Sequence, residues 1–177
     1  LLSCRVAPDG RACEASSLGP KPEHSPSFPA GTGHTLIWSE YSNGYRFGYC
    51  EIDKKTGLCP RKEIDEFAPA LSSPTASGNL AAWVAFTGKL TGPLRLCEVE
   101  TETGLCPWIT IARNVPDTRP QLSGHRLVWE MSTGDQATDI FFCEYDRLTG
   151  SCPVQRLTAQ MGSQKSVRID EGWVVWE

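Results

Sequence analysis

Cys97-Glu-Val-Glu-Thr-Glu-Thr-Gly-Leu-Cys106-Pro107 decides the fold. The chain writes it twice more, as Cys50-Glu-Ile-Asp-Lys-Lys-Thr-Gly-Leu-Cys59-Pro60 and Cys143-Glu-Tyr-Asp-Arg-Leu-Thr-Gly-Ser-Cys152-Pro153. A fourth pair, Cys4 and Cys13, keeps the same separation of nine positions around a different turn, Ala7-Pro8-Asp9-Gly10. Successive first cysteines lie 46, 47 and 46 residues apart, a period shared by propeller blades and similar repeats. Gly57, Gly104 and Gly150 fall where a hairpin turn needs positive φ, and the acid and threonine before each can fix the turn through side-chain bonds. Even parity and the lack of a C-x-x-C pattern favour disulfides over zinc. Spacing does not choose among the pairings open to eight cysteines. The repeat makes local pairing the natural geometry: Cys4–Cys13, Cys50–Cys59, Cys97–Cys106 and Cys143–Cys152. A bulge at the glycine would shift the cross-strand partner by one residue. Each short closure is expected to stabilise by roughly 2–3 kcal/mol in the chain-entropy model. The expected compartment is oxidising: secreted, cell surface or periplasmic.

Upstream of each hairpin runs a second repeated pattern: Gly33-His-Thr-Leu-Ile-Trp38, Gly78-Asn-Leu-Ala-Ala-Trp83, Gly124-His-Arg-Leu-Val-Trp129 and the shorter Glu171-Gly-Trp-Val-Val-Trp176. Pro29, Pro74 and Pro120 precede the first three glycines by four positions, with Val167 in the equivalent place of the last copy. Between tryptophan and cysteine lies an apolar strand (45–49, 94–96, 139–142). After the second cysteine another strand ends on Ile64, Ile111 or Leu157. Four short strands per unit and no helical periodicity predict an all-β chain: a β-propeller of four-stranded blades in about four repeats of 46 residues. A single domain over 1–177 is expected, with units at 29–73, 74–119 and 120–161. The fourth unit combines 1–28 with 162–177.

Pro120-Gln-Leu-Ser-Gly-His-Arg-Leu-Val-Trp129, Asp139-Ile-Phe-Phe142, Tyr145-Asp-Arg-Leu-Thr-Gly150 and Arg156-Leu-Thr158 together resemble the repeats of TolB-type β-propellers. The resemblance spans about 29–177 and, more weakly, the first hairpin. It implies the blade fold and says little about function, and the cysteine pair in every unit departs from that family. The chain enters its repeat at a cysteine hairpin and stops after a tryptophan strand. Pairing of Leu1–Cys13 with Val174–Trp176 would therefore complete the last blade and close a ring. A piece of a longer propeller, or two chains combining their blades, are the alternatives. Leu1 to Cys4 also has the form of a lipoprotein cleavage box, although the repeat already accounts for Cys4. The Ser-, Pro- and Gly-rich stretch 14–32 reads as a long inter-blade loop.

A formal charge of -4 argues against nucleic acid, whose binders present basic patches. No apolar run approaches the roughly 18 residues of a membrane helix. His24, His34 and His125 are not spaced as metal ligands, and no Gly-x-Ser-x-Gly elbow or phosphate loop occurs. Gly134-Asp-Gln-Ala-Thr-Asp139 offers oxygen ligands at a spacing that matches no calcium loop. No metal, cofactor or catalytic set is expected. The recurring carboxylates Glu51, Asp53, Glu98, Glu100, Glu144 and Asp146 read as turn caps, and Trp38, Trp83, Trp129 and Trp176 as inter-blade core. Trp108 and Trp173 lie outside that series and, with Tyr41, are the candidate binding residues. The expected function is a non-catalytic extracellular or cell-surface module working through protein–protein contacts or self-assembly. The alternatives are a lectin-like carbohydrate-binding propeller and an enzyme with an axial active site.

Overall fold

The computed structural model describes the backbone of residues 2–6, 13–17, 25–32, 35–41, 45–53, 55–56, 59, 61–68, 70–71, 74–86, 90–100, 102–103, 105–116, 118–134, 137–159 and 162–177. Side chains are described for the same residues except 2–6, 13–17, 25–28, 32, 45, 65–68 and 70–71. Every described element is a strand. β1 (Leu2–Val6) and β2 (Cys13–Ser17) form a two-stranded sheet. β3 (Ser25–Thr32), β4 (Thr35–Tyr41), β5 (Tyr45–Glu51) and β6 (Lys62–Ala68) form a four-stranded meander. In the next sheet β8 (Thr75–Ser77), β9 (Leu80–Phe86), β10 (Thr91–Glu98) and β11 (Trp108–Pro116) repeat that order, and the short β7 (Ala70–Leu71) pairs with the far end of β9. β12 (Gln121–Ser123), β13 (Arg126–Ser132), β14 (Thr138–Glu144) and β15 (Gln155–Arg156) make a second four-stranded meander. β16 (Arg168–Asp170) and β17 (Trp173–Val175) form a hairpin.

Sheet faces explain why β9 is apolar throughout. Its odd residues Ala81, Trp83 and Ala85 pack with Ile37, Phe47, Tyr49 and Ile64 of the preceding sheet. Its even residues Leu80, Ala82, Val84 and Phe86 pack with Leu122, Leu127 and Trp129 of the following one. Side chains alternate between the two faces of a strand, so a sheet buried on both sides shows no polar alternation. A third layer joins Val128 and Ile140 to Val167, Ile169 and Val174. The first strands β3, β8, β12 and β16 are successive neighbours. Pro29, Pro74 and Pro120 meet at a small opening of about 170 Å³ between the first three of these strands. Successive sheets thus stack face to face with their first strands side by side.

Several expectations change. The stretch 14–32, read as a loop, contains most of β2 and all of β3. Pro26 and Pro29 are compatible with a strand there because β3 lies at the sheet edge and its ladder slips between Ser27 and Ala30. The expected pairing of the terminal strands is not found among the described residues. Among the described residues β1 pairs only with β2, from Leu2↔Ser17 to Val6↔Cys13, and β17 only with β16. Repeat phase identifies complementary half-blades but does not set the curvature that would bring them together. Trp38, Trp83 and Trp129 are buried as expected, whereas Trp176 is 42% exposed. Among the described residues its hairpin pairs with no third strand, unlike the tryptophan strands of the other units.

The three described staples, Cys50–Cys59, Cys97–Cys106 and Cys143–Cys152, are all local, with Cα separations of 5.3, 5.4 and 5.3 Å, within the range a disulfide requires. They are consistent with an oxidising, extracytoplasmic compartment. The expected Cys4–Cys13 bond, the turn at 7–10, Gly57, Gly104, His24 and His34 lie outside the described residues. Gly150 has the positive φ expected of its turn, 65°. Gly48 is constrained differently. It stands directly opposite Trp38, and a Cβ there would come within 2.3 Å of the indole. Gly48→Ala is expected to destabilise by about 1–3 kcal/mol through overpacking, read from the urea unfolding midpoint. An unchanged midpoint would mean that the indole does not lie over this glycine.

Candidate functional site

In the second and third units one end of the sheet carries both the turn that starts the tryptophan strand and the disulfide hairpin. The same backbone bond holds the two together in consecutive units: Val99 N–H donates to Asn79 O at 2.7 Å and Tyr145 N–H to His125 O at 2.8 Å. The second carboxylate of each hairpin closes its own turn, as its repeated position predicts. Asp53 Oδ1 accepts from Lys55 and Thr56 N–H, both at 2.8 Å. Glu100 accepts from Thr103 Oγ1, and Asp146 accepts from Leu148 N–H at 2.9 Å and Thr149 Oγ1 at 2.8 Å. These bonds hold the Asp53 and Asp146 carboxyls below their ordinary range.

The first carboxylate of the second hairpin, Glu98, faces a neighbouring unit. It accepts from Asn79 Nδ2 at 2.7 Å and pairs with Arg147 Nε of the third unit at 3.2 Å, while Arg147 also bonds Asn79 Oδ1. From the first unit Lys62 Nζ donates to Glu102 O at 3.1 Å. The second hairpin is therefore tied to both neighbours. Around it lies a groove of about 900 Å³ lined by Glu63, Asn79, Glu98, Leu105, Pro107 and Tyr145, among others, with Cys106 in its wall. Burial opposes ionisation of Glu63, but bonds and charge from Arg46 and Arg61 outweigh it and hold the carboxyl below its ordinary range. The acids of the groove are thus matched within the molecule, and Leu105, 60% exposed, with Pro107 contributes exposed apolar surface to it. Leu148, at the tip of the third hairpin, is 97% exposed.

Opposite the hairpins, Asp139 is buried at the start of β14. Its carboxylate accepts from Thr158 Oγ1 at 3.0 Å and Thr133 Oγ1 at 3.1 Å and pairs with Arg156. Thr158 Oγ1 in turn accepts from Ile140 N–H at 3.0 Å. Burial raises the Asp139 pKa, yet the two threonines and Arg156 leave it lowered overall. Because the folded-state pKa is depressed, the contribution is present above the unfolded carboxyl's value and is lost as pH falls through the folded one. Asp139→Asn is expected to flatten the acid limb of the stability profile below about pH 4. An unchanged limb would show that the network does not couple to folding. The same bonds commit Asp139 to structure, so the oxygen-rich stretch 134–139 has one of its carboxylates already engaged.

The solved structure of TolB from Acinetobacter baumannii matches this arrangement with a TM-score of 0.59 over 92% of this chain. The fold is TolB-like. Sequence identity is 18%, and the chain spans 38% of the length of that structure. No family model matches the chain, and no curated protein matches its sequence. Within the TolB-like fold the three candidate aromatics lie on different sheets, and none lines the groove. Tyr41 ends β4 and is 58% exposed. Trp108 begins β11 at 44% exposure, with one ring face occupied by the Arg95 guanidinium, 3.7 Å from the ring centroid. Trp173 is 81% exposed. It lies on the face of β17 turned away from the third unit, equivalent to the face through which the other sheets contact the following one. Among the described residues no sheet packs on that face. The groove was not legible in the sequence: Glu63, Asn79, Glu98 and Tyr145 come from three units, and only the Glu that follows Cys50, Cys97 and Cys143 marks that end of the sheets.

Proposed function

We propose that the chain is a binding module of the cell exterior that docks a partner protein on its disulfide face and performs no chemistry of its own. The groove around the second hairpin carries this reading. It is concave, formed where three units meet, stapled by Cys97–Cys106 and bordered by exposed Leu105. A rigid scaffold presenting an apolar residue in a polar frame is the composition of a protein-docking surface. A photo-crosslinker at position 105 should give a discrete adduct in cells, while one at Arg113, exposed on the outer strand β11, should not. Equal labelling at both positions would remove the reading. If the adduct is a second copy of this chain, native mass spectrometry should show a dimer that Leu105→Asp abolishes. The exposed rings of Trp108, Trp173 and Tyr41 support a second reading, carbohydrate binding. It predicts glycan-array signal lost in Trp108→Ala or Trp173→Ala, and a silent array would end it.

A further inference from the structure

We propose that Cys97–Cys106 is a reducible staple controlling the groove, opened by a dithiol that enters along it, and that Cys50–Cys59 is a permanent structural bond. The inference rests on the reading of the groove as the docking site. The two staples have the same sequence separation and the same Cα geometry, so chain entropy does not distinguish them. Their surroundings do. Cys50 and Cys59 are 0% and 2% exposed and form an apolar cluster with Trp38, flanked by Leu36 and Ile52. Cys97 is equally buried at 2%, but Cys106 is only partly buried and stands in the wall of the groove. Thiol–disulfide exchange requires an attacking thiolate to reach one sulfur, and access decides which bond opens first. Here the groove offers that access to Cys106.

The thiolate of a dithiol reductant of the thioredoxin class attacks Cys106 Sγ. The Cys97–Cys106 bond breaks, and Cys97 leaves as a thiolate that takes up a proton. The second thiol of the reductant then displaces Cys106 from the mixed disulfide. The reductant ends as its own disulfide, and the staple gains two electrons and two protons. Among the described residues the hairpin tip afterwards keeps Glu100 N–H to Leu105 O at 2.8 Å, Leu105 N–H to Thr103 Oγ1 at 3.1 Å, Thr103 Oγ1 to Glu100, and Lys62 Nζ to Glu102 O at 3.1 Å, while its base stays held by Val99 N–H to Asn79 O at 2.7 Å and by Glu98 to Asn79 and Arg147. The strands behind it, β9 and β10, remain paired along five positions and buried against both neighbouring sheets. Reduction would thus loosen one wall of the groove and leave the sheet standing.

The test titrates the intact chain with dithiothreitol, blocks new thiols by alkylation and maps them by mass spectrometry, with hydrogen exchange measured on the same samples. Cys97 and Cys106 should become alkylated at a reductant ratio at least about tenfold milder than Cys50 and Cys59, a difference of about 30 mV for a two-electron couple. At that point peptides over 98–107 should lose protection and those over 80–86 should keep it. Simultaneous reduction of both pairs, earlier reduction of Cys50–Cys59, or loss of protection throughout β9 would overturn the proposal. Leu105→Trp, which narrows the groove mouth, should slow alkylation at Cys106, and an unchanged rate would show that the groove is not the route. These readouts need no partner. Failure here leaves the docking reading intact, and failure of the position-105 crosslink leaves the reduction order intact.

Discussion

Trp83→Ala is expected to destabilise the protein by about 3–5 kcal/mol, the cost of deleting a buried indole that its surroundings cannot refill. Trp83 is 0% exposed and packs edge-on against Phe47 of the neighbouring sheet, ring centroids 5.1 Å apart. Its Nε1 has no hydrogen-bond partner in the structure, so the loss is one of packing between units and not of a polar bond. For a chain of this size the change should lower the thermal midpoint by on the order of 10 °C, measured without reductant so that the staples stay closed. Trp176→Ala, at the equivalent repeat position but 42% exposed, should cost about 1 kcal/mol or less. Equal effects at the two positions would mean that the sheets do not stack on one another as described.

Arg61→Ala carries the second large effect. Glu40 is 1% exposed, yet its carboxylate accepts from Trp38 Nε1 at 2.5 Å and from Arg61 Nε and Nη2 at 3.1 and 2.7 Å. Removing the guanidinium takes two hydrogen bonds and a positive charge from a buried carboxylate. Loss of one partner of a fully buried pair costs about 3–5 kcal/mol. The Arg61 side chain is 35% exposed, so water screens part of the interaction and about 2 kcal/mol is expected. Glu40→Gln with Arg61→Ala should recover much of the loss, since the uncompensated charge is then gone. A double variant as unstable as Arg61→Ala would assign the cost to lost packing of the arginine stem.

How far the sequence reaches can be judged residue by residue. The C-x8-C intervals were legible because a residue spaced identically in successive units must occupy the same place in each, and Asp53, Glu100 and Asp146 do close their own turns. Trp38, Trp83 and Trp129 were legible for the same reason. Strand β3 was not, because Pro26 and Pro29 carry the composition of a loop, and only its place at a sheet edge lets the backbone pair. Trp176 was misjudged because repeat position reports which face a side chain takes but not whether a strand follows beside it, and among the described residues β17 pairs only with β16. The groove joins Glu63, Asn79 and Tyr145 from three sheets, and its shape depends on stacking angles that no local pattern encodes. Trp108 and Trp173 stood out by breaking the repeat, yet neither meets the groove.

Local stapling underlies the unit structure, the placement of the hairpins and the groove between them. The most direct measurement is a proteolytic digest of the unreduced chain, with disulfide-linked peptides identified by mass spectrometry. Expected are links joining Cys50 to Cys59, Cys97 to Cys106 and Cys143 to Cys152 and, from the repeat, Cys4 to Cys13. A link between units, such as Cys59 to Cys97, would contradict it.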